Sequence, residues 1–136
     1  MPEPFTFRDH VRYADLDARG HLNNVAFLTF VEAARIAFLR SLDPEYDPTS
    51  PGRRDLILAH TAIDYRAQAS FEEEILAEVT AEDVEDRRFG LRFRLRAGAD
   101  GRMLAEARNV VVGFDYDAQE PADVPAALRD ALRRAG

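Results

Sequence analysis

Asp15-Leu16-Asp17-Ala18-Arg19-Gly20-His21-Leu22-Asn23-Asn24, followed by the apolar segment 25–42, is the stretch that decides how this chain folds. The first part is short, polar and broken by a glycine. The second reads as one long helix in which only Thr29, Glu32, Arg35, Arg40 and Ser41 are polar. At about 100° per residue four of these five fall on one stripe and Ser41 lies off it, so most of the helix circumference is apolar and calls for other structure to cover it. At about 1.5 Å per residue the helix is roughly 27 Å long, the width of a small domain. The polar cluster therefore stands where a loop enters a buried helix. Backbone N–H groups there have no partner inside the helix, and the helix dipole favours negative charge.

Working outward, residues 5–14 alternate as a strand, with Phe5, Phe7, Val11 and Tyr13 on one face and Asp9 interrupting it. Asn23 suits the N-cap of the helix, because its side-chain oxygen can accept a free helical N–H. The helix should stop before Asp43-Pro44, and residues 43–54, with three prolines and a glycine, read as loop. Four strands are expected after it, over 55–67, 73–83, 88–97 and 103–114, the last two joined by a hairpin connection at 98–101. In the third of them Phe89, Leu91, Phe93 and Leu95 alternate with Arg92, Arg94 and Arg96, the pattern of a sheet with one solvated face. Asp123 is expected to cap a short helix with Pro125 in its first turn, running to about Arg134. The order predicts an α+β chain, a single domain over 1–136, in which one curved, mainly antiparallel five-stranded sheet wraps one long helix and a short C-terminal helix follows.

Composition narrows the function. The chain has 136 residues, 46% of them apolar, enough for a real core and too many for disorder. Eighteen basic against twenty-five acidic residues give a net charge of −7, which argues against nonspecific nucleic-acid binding. There is no cysteine, so disulfides, thiol catalysis and thiolate metal sites are impossible. The three histidines are scattered, and no metal site is expected. Neither a signal peptide at the N-terminus nor a membrane-spanning run is evident, and a soluble, cytoplasmic protein is expected.

The run Val11-Arg12-Tyr13-Ala14-Asp15-Leu16-Asp17-Ala18-Arg19-Gly20-His21-Leu22-Asn23-Asn24-Val25, continuing to Phe30-Val31-Glu32-Ala33-Ala34-Arg35, resembles the signature of hotdog-fold acyl-CoA thioesterases, in particular the 4-hydroxybenzoyl-CoA thioesterase-like branch. The resemblance implies a long helix wrapped by an antiparallel sheet, a homodimer or homotetramer with sites at the dimer interface, and an acyl-CoA substrate without a separate cofactor. It implies Asp17 as the catalytic carboxylate, Asn24 as the donor of a backbone N–H to the thioester carbonyl, and Gly20 as the residue that permits the tight loop. Basic residues contact the coenzyme A phosphates in that family, and Arg87 and Arg88 stand near where one branch carries a basic pair. The related plant acyl-carrier-protein thioesterases place an asparagine two residues after the catalytic aspartate; here that position is Arg19.

Each of these residues also has a plainer reading. Asp17 can attack the thioester or activate water, or simply cap a turn. His21 orients Asp17 or tunes its pKa, or is a satisfied loop histidine. Asn23 is a cap or a substrate contact. Arg87 and Arg88 hold an anionic ligand or end a solvated strand. His60 is read as core or interface, Glu32 and Arg35 as a helical pair, and Phe27, Phe30, Val31 and Phe38 as pocket lining or core. The function expected is hydrolysis of an acyl-CoA, with an acyl-carrier-protein thioester as the alternative donor and a non-catalytic acyl-thioester-binding module as the alternative class.

Overall fold

The structure is a computed structural model that describes residues 4–49 and 54–135; the expectations for residues 1–3 and for 50–53 of the predicted loop lie outside the described residues. The chain runs β1 (Phe5–His10), α1 (Asn24–Leu42), β2 (Arg54–Tyr65), β3 (Glu74–Glu82), β4 (Arg88–Ala97), β5 (Met103–Asp115), β6 (Glu120–Pro121) and α2 (Ala126–Ala135). The strands form one antiparallel sheet in the order β1-β3-β4-β5-β2, and β6 adds to β5. The α+β hotdog arrangement is therefore present, with a sixth, two-residue strand that its shortness hides from any periodicity.

Helix α1 buries Phe27, Phe30, Val31, Ala34, Phe38 and Leu39, the i, i+3, i+4, i+7 series of one face. They pack on the inward residues of the sheet, Ile75, Ala77 and Val79 of β3 and Phe89, Leu91, Phe93 and Leu95 of β4. The face that carries Val25, Leu28, Thr29 and Glu32 is exposed, Val25 by 68%, so the single chain leaves one side of the helix bare. On the outer side of the sheet charges alternate in sign: Glu82 accepts from Arg108 at 2.8 Å and from Arg92 at 3.1 Å, and Glu78 accepts from Arg96 at 2.8 Å.

Three boundaries differ from the sequence reading, each for a local reason. β1 stops at His10 rather than at residue 14. The Asp15 carboxylate accepts the Arg12 N–H at 2.9 Å, and Arg12 donates to Asp9 at 2.8 Å, so the chain turns into a short 3-10 segment, Tyr13–Asp15. Local side-chain bonds to the backbone thus outcompete the strand, and Tyr13 turns out to solvent. In β2 the register slips between Leu58 and His60. That bulge puts His60 on the face opposite Leu58, and His60 is exposed, as are all residues from 57 to 62 on this edge strand, which corrects its reading as core. Asp123 does not cap α2: its carboxylate takes the Arg87 guanidinium at 3.2 Å, and the first helical carbonyl is that of Pro125, which accepts the Arg129 N–H at 2.9 Å.

Gly113 shows how closely the C-terminal segment is drawn onto β5. A Cβ there would meet the Ala122 carbonyl and lie 2.7 Å from the Val124 nitrogen, both backbone atoms. Gly113→Ala is expected to lower the urea midpoint by the equivalent of about 1–3 kcal/mol, the usual range for overpacking; an unchanged midpoint would show that the 122–124 segment can move away freely.

Candidate active site

The polar stretch between β1 and α1 folds back on itself as a miniature ladder. Leu16 bridges to Leu22, the Asp17 N–H donates to the His21 carbonyl at 2.8 Å, and the Gly20 N–H closes the turn onto the Asp17 carbonyl at 3.0 Å. Gly20 has φ +81°, a conformation that side chains resist, which is why a glycine ends the turn. Asp17 Oδ1 accepts from the Arg19 N–H at 2.9 Å and from the His21 N–H at 3.2 Å. Those two bonds, the Arg19 N–H first, hold its carboxyl below the usual aspartate range. The plain turn-capping role is therefore filled by one oxygen of Asp17, and the carboxylate stays exposed and ionised.

The ladder delivers the chain to the helix start. The Asn23 N–H donates to the Asp15 carbonyl at 2.8 Å, and its side chain accepts the Val25 N–H at 2.8 Å, so Asn23 is the N-cap. The Phe27 N–H goes to the Asn23 carbonyl at 3.2 Å. Among the described residues, the Asn24 N–H has no acceptor. The Tyr65 hydroxyl donates to the Asn24 carbonyl at 2.8 Å, and its ring meets Phe27 edge-on at 5.3 Å.

Asp17, His21, Leu22, Asn24, Phe27 and Tyr65 line one cleft of about 400 Å³. Residues 66–68 form its remaining wall, which sequence reasoning missed together with Tyr65. They belong to a strap, residues 66–73, between β2 and β3. His21 bridges to Ser70, and the Leu22 N–H donates to the Ala69 carbonyl at 2.8 Å. Arg102, just before β5, fixes the strap: it bonds both oxygens of Glu73 at 2.8 and 2.9 Å and the Gln68 carbonyl at 2.9 Å, while Glu73 accepts the Ser70 N–H at 3.0 Å. No sequence spacing announces that convergence.

Other candidate residues lie elsewhere. Arg88 pairs across to Val112 and Tyr65 to Ala105, seven residues apart along β5, or about 23 Å at strand spacing. Arg87 pairs with Asp123 at 3.2 Å and Arg88 with Glu85 at 2.8 Å. Arg88 rims a larger hollow of about 530 Å³, which holds none of the residues singled out around Asp17. Glu32 approaches Arg35 only to 3.8 Å, and Arg35 instead bonds the fully buried Asn109 at 2.9 Å. Phe30, Val31 and Phe38 are core, and Phe27 is both core and cleft wall. No group of three metal-binding side chains gathers among the described residues, and no described helix is long and apolar enough to cross a membrane.

Comparison with known proteins places this geometry in context. The profile of the thioesterase-like superfamily matches residues 11–132. No curated protein sequence matches significantly. Among solved structures, a 1,4-dihydroxy-2-naphthoyl-CoA thioesterase from Synechocystis is 25% identical, with 95% of each chain covered and a TM-score of 0.84. A thioesterase superfamily protein from Jannaschia is 28% identical over 96% of this chain and 82% of its own, with a TM-score of 0.82. A gentisyl-coenzyme A thioesterase shares the fold at 18% identity, with 94% and 99% covered and a TM-score of 0.81.

If Arg102 holds the cleft wall, Arg102→Met should speed amide hydrogen exchange at Ser70 and Leu22 while leaving core amides of β4, such as that of Phe93, protected. Uniform acceleration across the sheet would instead mark a global loss of stability.

Proposed function

Because the chain belongs to the thioesterase-like superfamily and is a thioester hydrolase, we propose that its substrate is an acyl-CoA and that Asp17 carries the hydrolysis. The observation that supports this reading most is the shared cleft: an exposed carboxylate and the unengaged Asn24 N–H at the helix start border the same 400 Å³ space. The thioester carbonyl oxygen points at the Asn24 N–H, which with the helix dipole stabilises the oxyanion as the tetrahedral intermediate forms. Asp17 Oδ1 is committed to the turn, so Oδ2 reacts, attacking the carbonyl carbon or taking a proton from the attacking water. The C–S bond breaks, the thiolate leaves and is protonated, and hydrolysis releases the acid. His21 holds the turn through its own backbone, and Gly20 lets the turn close. These steps call on the chain's own groups, without a metal or separate cofactor.

A second copy of the chain completes the reading. β2 is a 12-residue edge strand with one side unpaired, and Ile57 and Leu58 on it are exposed by 41% and 42%. Exposed edges of this kind pair with another strand. We take the partner to be a second copy, lying over the open side of the cleft. Desolvation by that partner raises the pKa of Asp17 against the pull of its two N–H donors. Arg87 and Arg88 reach a coenzyme A phosphate only from that second copy.

Thiol release from a panel of aliphatic and aromatic acyl-CoAs tests the activity directly. Asp17→Asn, which keeps the Oδ1 acceptor of the turn, is expected to lose about 10²–10⁴-fold in kcat with an unchanged denaturation midpoint, and Asp17→Ala, which also loses the two turn bonds, to lose at least as much with a lowered midpoint; retained turnover in both would remove Asp17 from the chemistry. Because the N–H groups of Arg19 and His21 favour the ionised form, the acid limb of kcat/KM for the unpartnered chain should fall below the ordinary aspartate pKa of about 3.9. A limb above that ordinary value at protein concentrations where the mass is that of a dimer would give the partner's desolvation the larger share.

A further inference from the structure

Two aromatic rings stand outside the cleft with no work in the core. Tyr13 is 79% exposed and Phe71 50%, and they meet edge-on with centroids 6.2 Å apart. Tyr13 was turned outward when the Asp9–Arg12–Asp15 bonds ended β1. Phe71 lies on the strap whose earlier residues, Ala67 and Gln68, wall the cleft. The antiparallel bridge from His21 to Ser70 sets Phe71 opposite Gly20, at the tip of the Asp17 turn. Gly20 leaves that tip open: nothing lies within 4 Å of where its Cβ would stand. Next to it is Arg19. Its backbone N–H is tied to Asp17, and its guanidinium enters no ion pair among the described residues, whereas neighbouring Arg12 is met by Asp9 at 2.8 Å.

We propose that Tyr13, Phe71 and Arg19 form a platform for the nucleotide end of the coenzyme A carrier, the base against the rings and a phosphate against the guanidinium. The chemistry selects this ligand. An exposed aromatic pair offers a π-face to a planar base, and an unpaired guanidinium offers a fork of donors to phosphate oxygens. An acyl chain has no use for the cation, and the cleft already gives it Leu22, Phe27 and Tyr65. The platform is continuous with the cleft through the strap and the turn, so one extended ligand occupies both. Negative net charge does not oppose this, because beyond a Debye length of about 8 Å distant charges are screened. The assignment rests on the acyl-CoA reading above and adds to it where the carrier lies.

The test compares two donors with the same acyl group, the acyl-CoA and the acyl-pantetheine, which lacks the nucleotide. In the wild type the ratio of kcat/KM for acyl-CoA over acyl-pantetheine should exceed one. Tyr13→Ala, Phe71→Ala and Arg19→Ala should each lower that ratio about tenfold, through KM for acyl-CoA, and Phe71→Tyr should restore it. Equal losses on both donors, or no loss on either, overturn the platform while leaving the hydrolase intact. A lower sedimentation mass in Tyr13→Ala with an unchanged ratio gives the rings to a contact between copies and overturns it too. If the wild type cleaves neither donor, the acyl-CoA reading falls by itself. Calorimetric titration with adenosine 3′,5′-bisphosphate needs no turnover: binding by the wild type that weakens in all three alanine variants supports the platform, and no binding, or binding the variants share, refutes it.

Discussion

The two hydrogen bonds that Asp17 Oδ1 accepts from the Arg19 and His21 N–H groups decide the shape of the functional end of this molecule. They close the turn, and the turn brings His21 back alongside Asp17. His21 then meets the strap at Ser70, and Leu22 meets it at Ala69. The chain leaves this small ladder already aligned with the axis of α1, where Asn23 caps the second helical N–H and leaves the first uncommitted. Carboxylate and open amide are thus consequences of one backbone arrangement. That economy also sets a constraint. The side chain proposed for the chemistry is also the one that builds the turn, so that proposal asks one aspartate to supply both charge and geometry.

Much of this was legible in the residues. The apolar face of α1, the alternation of Phe89 to Leu95 and the capping asparagine follow from helix and strand periods and from the chemistry of free N–H groups, and each element formed where those rules put it. Val11 to Arg35 also carried the family. What was not legible depends on contacts made across the fold. Tyr65 and the strap residues become part of the cleft only because β2 lies beside the helix start and Arg102 arrives from the β4–β5 connection. Asn109 reads as an ordinary polar residue in β5, yet it is fully buried and bonded to both Arg35 and Thr61. The end of β1 and the bulge in β2 were missed for a different reason. Each turns on a local competition, carboxylate against ladder or one extra residue against register, that a two-residue period does not encode.

The strap deserves comparison with the turn it supports. Glu73 gathers the Arg102 guanidinium and the Ser70 N–H, and its side chain is only 16% exposed, so this ion pair is better shielded than the pairs on the outer sheet face. Fully exposed pairs contribute little. A shielded one, in which a single guanidinium nitrogen reaches both carboxylate oxygens and a backbone amide joins them, fixes position as well as adding energy. The cleft therefore has one wall made by local turn chemistry and another held by a long-range clamp, and the two meet at a single backbone bridge between His21 and Ser70.

The two borders of the sheet are unequal. β1 offers six residues and carries Asp9 on its inward side, while β2 offers twelve and is broken once by its bulge. An inward carboxylate on a short border discourages any strand from docking there. The edge-on pairing proposed above would consume the long border in both copies and leave only the short, acid-marked one outside. Growth would then halt at a closed pair instead of running on into a ribbon. The asymmetry that leaves a lone chain with one long open border would, under that proposal, also limit how far such pairing extends.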